Sequence, residues 1–147
     1  MKDYKEVFGS INKIIDWYRG MPKELNVDVQ SIQSLNKARR KLACLKVDLS
    51  TIASEFRKMK EQAAFNRKKA IAQKIEEFRN ADYSIADSKE KALIHTKKLK
   101  EKEIQFESAY ENVKLLNDSI GDVLNAMAGD INYLVYEYKM IGVVQAA

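Results

Sequence analysis

Between Arg57 and Glu103 the chain carries fourteen Lys or Arg against eight Asp or Glu, and the cations crowd most closely in "FNRKKAIAQK". Lysine and arginine in such excess attract phosphate backbones, because each neutralised phosphate releases condensed counterions. The residues that could do this are Arg57, Lys58, Lys60, Arg67, Lys68, Lys69, Lys74 and Arg79, followed further on by Lys97 and Lys98. Phe65, Phe78 and Tyr83 lie among them and offer rings on which unpaired bases can stack. The chemistry this pattern suggests is non-catalytic binding of single-stranded nucleic acid. The competing reading is a solvated helix face, in which Glu61, Glu76, Glu77, Glu90, Glu101 and Glu103 supply ion-pair partners three or four residues away. On that reading the chain is a structural or adaptor coiled coil that binds no nucleic acid.

Other chemistry finds little support. His95 is the single histidine and Cys44 the single cysteine, so there is no zinc-ligand cluster and no supported thiol–imidazole pair. Carboxylate pairs such as Glu76–Glu77 and Glu101/Glu103 sit in charged stretches with no sign of a pocket. Neither a GxxxxGK[ST] nor a GxGxxG loop is present. No catalytic, cofactor-binding or metal-binding residues are expected, and the chain is not expected to be an enzyme. Cys44 reads as a small apolar helix residue. No apolar run approaches the ~20 residues needed to cross a bilayer, and Met-Lys-Asp-Tyr-Lys-Glu lacks the apolar core of a signal peptide. A cytoplasmic location with no membrane partner is the expectation.

The elements that must position these cations are helices. With five Gly and one Pro in 147 residues, turns are scarce and an all-α fold follows. Val7, Phe8, Ile11, Ile14, Ile15 and Tyr18 repeat at helical spacing and predict a short helix over 3–19. A linker over 20–27 follows, where Gly20 suits a C-terminal cap and Pro22 stops the helix. A long helix is expected over 28–80. Leu35, Leu42, Leu49 and Phe56 form a coiled-coil seam that slips by one residue at Met59, so that Ala64, Ile71 and Phe78 carry it onward. A second long helix is expected over 88–141. Ile85, Ala92, Leu99, Phe106, Val113, Ile120, Met127, Leu134 and Ile141 follow one another at seven-residue intervals, with rich companion positions only toward the C-terminus.

The turn between the two long helices is placed at 81–87. Asn80 can adopt a left-handed cap, and Ser84 with Asp87 resembles a capping box. One uninterrupted helix from 28 to 141 is the alternative. Charge favours the hairpin: residues 37–56 have an excess of three positive charges and 104–147 an excess of four negative ones. Antiparallel pairing brings Lys37, Arg39, Arg40, Lys41 and Lys46 toward Glu111, Asp118 and Asp122. Trp17 and Tyr18 would then cover the end beside Tyr133, Tyr136 and Tyr138. The C-terminal arm holds more apolar residues than one partner arm can cover. A homo-oligomer is therefore expected, joined through Ile120, Met127, Ile131, Leu134 and Ile141.

The stretch "RKKAIAQKIEEFRNADYS", within this lysine-rich helical plan over roughly residues 35–140, resembles the phage recombination mediators. These are small helical proteins that bind single-stranded DNA, assemble into rings and help load a strand-exchange recombinase. The resemblance implies an accessory role in recombination or replication, oligomerisation through the C-terminal helix, and DNA contact through Arg67, Lys68, Lys69 and nearby lysines.

Overall fold

The computed structural model describes residues 3–21 and 29–146, with the side chains of 143–146 outside that description. Four helices account for nearly all of it: α1 (Tyr4–Arg19), α2 (Val29–Asn80), α3 (Ile85–His95) and α4 (Lys97–Ala146). There is no strand among the described residues. The fold is an all-α helical hairpin in which α2 and α4 pack against each other. No described helix is long and apolar enough to cross a membrane. Pro22 and most of the expected linker lie outside the described residues.

The chain divides into two compact units, Met1–Ile52 with Leu115–Ala147, and Ala53–Lys114. In the first, α1 begins where the Asp3 side chain accepts a hydrogen bond from the Lys5 N–H, an N-cap of the usual acidic type. Val7, Ile11 and Ile15 are buried, as their spacing predicts. Leu35, Ile131 and Leu134 form a core cluster against which Tyr18, Met21, Ile32 and Val135 pack. The side chain of Lys46 lies over Gly121, where an added methyl group would stand 3.5 Å from its ammonium. That approach brings the Lys46 level of α2 beside the Gly121 level of α4 in this unit.

Several expectations are corrected here. Trp17, Tyr133, Tyr136 and Tyr138 are all exposed, so α1 does not cover the tyrosines of α4. Tyr18 reaches that helix, donating a hydrogen bond to Asp130. Cys44 is exposed and takes no part in packing. Ile120, Met127, Ile131 and Leu134 are buried within the chain's own core and present no surface to a second copy, whereas Ile141 is exposed.

In the second unit the turn falls within the expected span, and its chemistry is explicit. The Tyr83 N–H bonds to the Phe78 carbonyl and the Asp82 N–H to the Arg79 carbonyl, the paired bonds of a Schellman cap. The left-handed residue is Asp82, at φ 64, and not Asn80, which is the last residue of α2. Phe78 and Tyr83 close the motif with an edge-to-face contact at 5.7 Å, the hydrophobic pair that accompanies such caps. Ser84 then caps α3, accepting from the Asp87 N–H and donating to the Asp87 carboxylate. The single-helix alternative is excluded.

The second arm is not one helix over 88–141. It begins at Ile85 and breaks at Thr96, whose hydroxyl and N–H both bond to the Ala92 carbonyl, at 2.8 and 3.1 Å. Such back-bonding by threonine disturbs a helix. The seam slips later than Met59. Its original spacing runs on to Ala63, which is buried, while Met59 is exposed; beyond it Glu77, which continues that spacing, is exposed, whereas Ile71, Ile75 and Phe78 are partly buried. Of the nine positions spaced by seven in the second arm, the outermost two, Ile85 and Ile141, are exposed. The loose middle of the chain is visible as a core of small side chains: Ala63, Ser88, Ala92 and Thr96 are buried there, with Val113.

Two outcomes follow. Asp82→Gly should stabilise the chain by about 0.5–1 kcal/mol in denaturant unfolding, since glycine adopts positive φ without a Cβ clash. Burial above all, then the hydrogen bond to Asp130 and its charge, pushes the Tyr18 phenol up to about 12 from an ordinary 10.0. A proton held more tightly when folded stabilises the chain fully below pH 10, and this stabilisation is lost as pH rises through about 12. Stability should therefore fall more steeply over that window in the parent than in Tyr18→Phe, measured by chemical unfolding at each pH.

Candidate nucleic-acid interface

At about 100° per residue, the positions Lys58, Glu61, Phe65, Lys68, Lys69, Ala72, Glu76 and Arg79 share one side of α2. All of them are exposed. The helix persists through them because the stretch has no Gly or Pro and is rich in Ala, Lys, Glu and Gln, strong helix formers. Phe65 is 61% exposed. Lys68 and Lys69 stand three and four residues beyond it, and Lys58 two turns before it. An uncovered ring framed by ammonium groups is the local chemistry that a base and its flanking phosphates require. Phe78 and Tyr83 are less free, since the Lys91 ammonium lies over both rings, 4.7 Å from that of Tyr83, and the His95 ring packs against Phe78.

The other expected cations are already engaged. Arg57 pairs with Glu61, Lys74 with Glu77 at 2.8 Å, and Lys60 with Glu107 at 3.5 Å, where it also approaches the Tyr110 ring. Arg67 turns toward α4 and forms an ion pair and hydrogen bond with Glu103, with 19% and 14% of the two side chains exposed. Consecutive cations thus take different directions: Arg67 points inward, while Lys68 and Lys69 point outward. Lys97 and Lys98 are exposed at the first turn of α4. Lys58, Lys68, Lys69 and Arg79 are the expected residues that the fold brings onto one open face.

Beside that face lies a groove of about 430 Å³ that sequence reasoning missed. Met59, Ala63, Leu99 and Phe106 form its apolar lining, and Lys58, Gln62, Asn66 and Lys102 its polar part. The Gln62 amide donates to Asn66 at 2.9 Å, and Lys102 lies 6.0 Å from the Phe106 ring centre. The one available sequence signal was a pair of uncharged amides, Gln62 and Asn66, one turn apart in an otherwise charged run. Among the described residues no group of three or more His, Cys, Asp or Glu could hold a metal ion.

The fold and this face define a helical hairpin with a cationic, aromatic-bearing helix surface. No family model, curated protein or solved structure matches the chain.

The Arg67 hydrogen bond holds the Glu103 carboxyl below the ordinary value of 4.5, outweighing burial and aided by the charges of Arg67, Lys100 and Lys68. Stability from a depressed carboxylate is present above its unfolded value and is lost as pH falls through its folded one. Glu103→Gln should lower unfolding free energy at pH 7 by about 1–2 kcal/mol, between the values for exposed and buried pairs. The variant should also show a flatter acid limb below pH 4.5 in thermal or chemical unfolding.

Proposed function

We propose that this chain binds single-stranded nucleic acid without catalysis, through the outer face of α2 in the second unit. The observation that carries this reading is the exposed Phe65 ring framed by Lys58, Lys68 and Lys69, none of which forms an ion pair among the described residues. A duplex hides its base faces in the stack, whereas a single strand presents them, so a protruding ring favours single strands. Glu61 and Glu76 interrupt the face, and Glu61 is partly neutralised by Arg57. The role is that of an accessory factor in recombination or replication, as the resemblance to recombination mediators implies.

The structural reading, a helical hairpin without nucleic acid, draws support from the four expected cations held in ion pairs. Fluorescence anisotropy with labelled single-stranded DNA separates the two. Lys58, Lys68 and Lys69 changed together to Ala should weaken binding and reduce the slope of log affinity against log salt by about 2, at ~0.7 per phosphate contact on a single strand. Phe65→Ala should weaken binding by roughly 5- to 150-fold, the range of ~1–3 kcal/mol per stacked base, with the salt slope retained. Both variants should keep their helix content, because every changed residue is exposed. Equal binding by parent and variants, or no binding by the parent at about 50 mM salt, would make the structural reading the better one.

A further inference from the structure

The groove beside Phe65 is built from both arms of the second unit: Lys58, Gln62 and Asn66 come from α2, and Leu99, Lys102 and Phe106 from α4. Its volume of about 430 Å³ lies within the range of small-ligand sites, about 300–1,000 Å³. No acidic residue lines it, and neither Lys58 nor Lys102 forms an ion pair among the described residues. The Gln62 amide donates to the Asn66 oxygen, a pairing one turn apart that steadies both groups. The Gln62 oxygen and the Asn66 NH2 take no part in that bond, which leaves an acceptor and a donor side by side.

These groups together define one kind of occupant. An acyl chain would cover the apolar lining but leave the two amides without partners, which is costly. An acidic side chain would meet the ammonium groups and make no use of Leu99 and Phe106. An unstacked nucleobase has a flat apolar face, hydrogen-bonding groups along its edge, and a phosphate on either side. We propose that the groove seats one base of a bound single strand, its edge on Gln62 and Asn66 and its face against Phe106, with Lys58 and Lys102 on the flanking phosphates. Lys102 stands 6.0 Å from the Phe106 ring centre, at the limit of cation–π attraction, so it gives up little by turning to a phosphate. At about 100° per residue, Lys58, Gln62, Phe65 and Lys69 fall within about 60° of one another on α2. A strand stacked on Phe65 therefore passes the mouth of the groove. The inference rests on the single-strand reading above and adds a second seat for a base, shared between the arms.

Anisotropy with labelled single-stranded DNA and NMR of the side-chain amides test it together. Gln62→Leu with Asn66→Leu keeps every cation and the Phe65 ring, and both positions are exposed, so the helix should persist. Binding should weaken roughly 5- to 30-fold, the loss of two ordinary hydrogen bonds, with the salt slope unchanged. Lys102→Ala should lower that slope by about 0.7, one phosphate contact. In the parent, the Gln62 and Asn66 amide signals should shift with the strand and not with an abasic strand of equal length. Decanoate, the control for an acyl occupant, should leave those signals and the Met59 methyl in place. A leucine variant that binds like the parent, while Phe65→Ala binds weakly, would overturn the groove and leave the single-strand reading standing. No binding by the parent would overturn both. Equal amide shifts with the abasic strand, or a Met59 methyl that moves with decanoate and not with DNA, would also rule out a seat for a base.

Discussion

The reversal at 81–84 is the constraint on which the rest depends. α2 carries Leu35, Leu42 and Leu49 on one stripe, all buried, and a helix with such a stripe needs something to lay it against. The chain supplies its own partner because Asp82 accepts a left-handed backbone, Tyr83 folds back on Phe78, and Ser84 starts the next helix. Two caps placed back to back turn one long amphipathic pattern into a hairpin. The carbonyls of Glu77, Phe78 and Arg79 and the amide of Asp87, which a bare helix end would leave unpaired, are met within this turn.

The hairpin also sorts the cations. Neighbours in sequence take opposite roles because consecutive helix positions differ by about 100°. Arg67 becomes a cross-helix anchor for Glu103, whereas Lys68 and Lys69 point outward. A planar guanidinium suits a partly buried carboxylate, and flexible ammonium groups suit an irregular phosphate track. The excess of charge in this region therefore overstates what is free to bind. Lys58, Lys68, Lys69 and Arg79 remain available; Arg57, Lys60, Arg67 and Lys74 hold the protein's own acids.

Helix content, the position of the turn and the tight packing toward the C-terminus were legible in the sequence, because each rests on local rules: apolar period, cap residues, scarcity of Gly and Pro. The identity of the left-handed residue was not, since Asn80 and Asp82 both tolerate that conformation and Asn is the more familiar choice. Nor was the inward turn of Arg67, because charge counting assigns no direction to a side chain. The place of the slip shows the same limit: Ala63 and Ala64 are indistinguishable by type, and only packing chooses between them.

The break at Thr96 has a kinetic side. Thr96 shares the Ala92 carbonyl between its hydroxyl and its amide, and the buried Ser88 hydroxyl one turn before Ala92 has no hydrogen-bond partner. The side chains buried along α3 are a serine, an alanine and, just beyond it, a threonine, which together bring little apolar surface. Segments with few buried apolar contacts open before the rest of a molecule does. α3 should thus open ahead of the leucine-lined stretch of α2, and amide exchange along Ser88 to Thr96 should report that local opening.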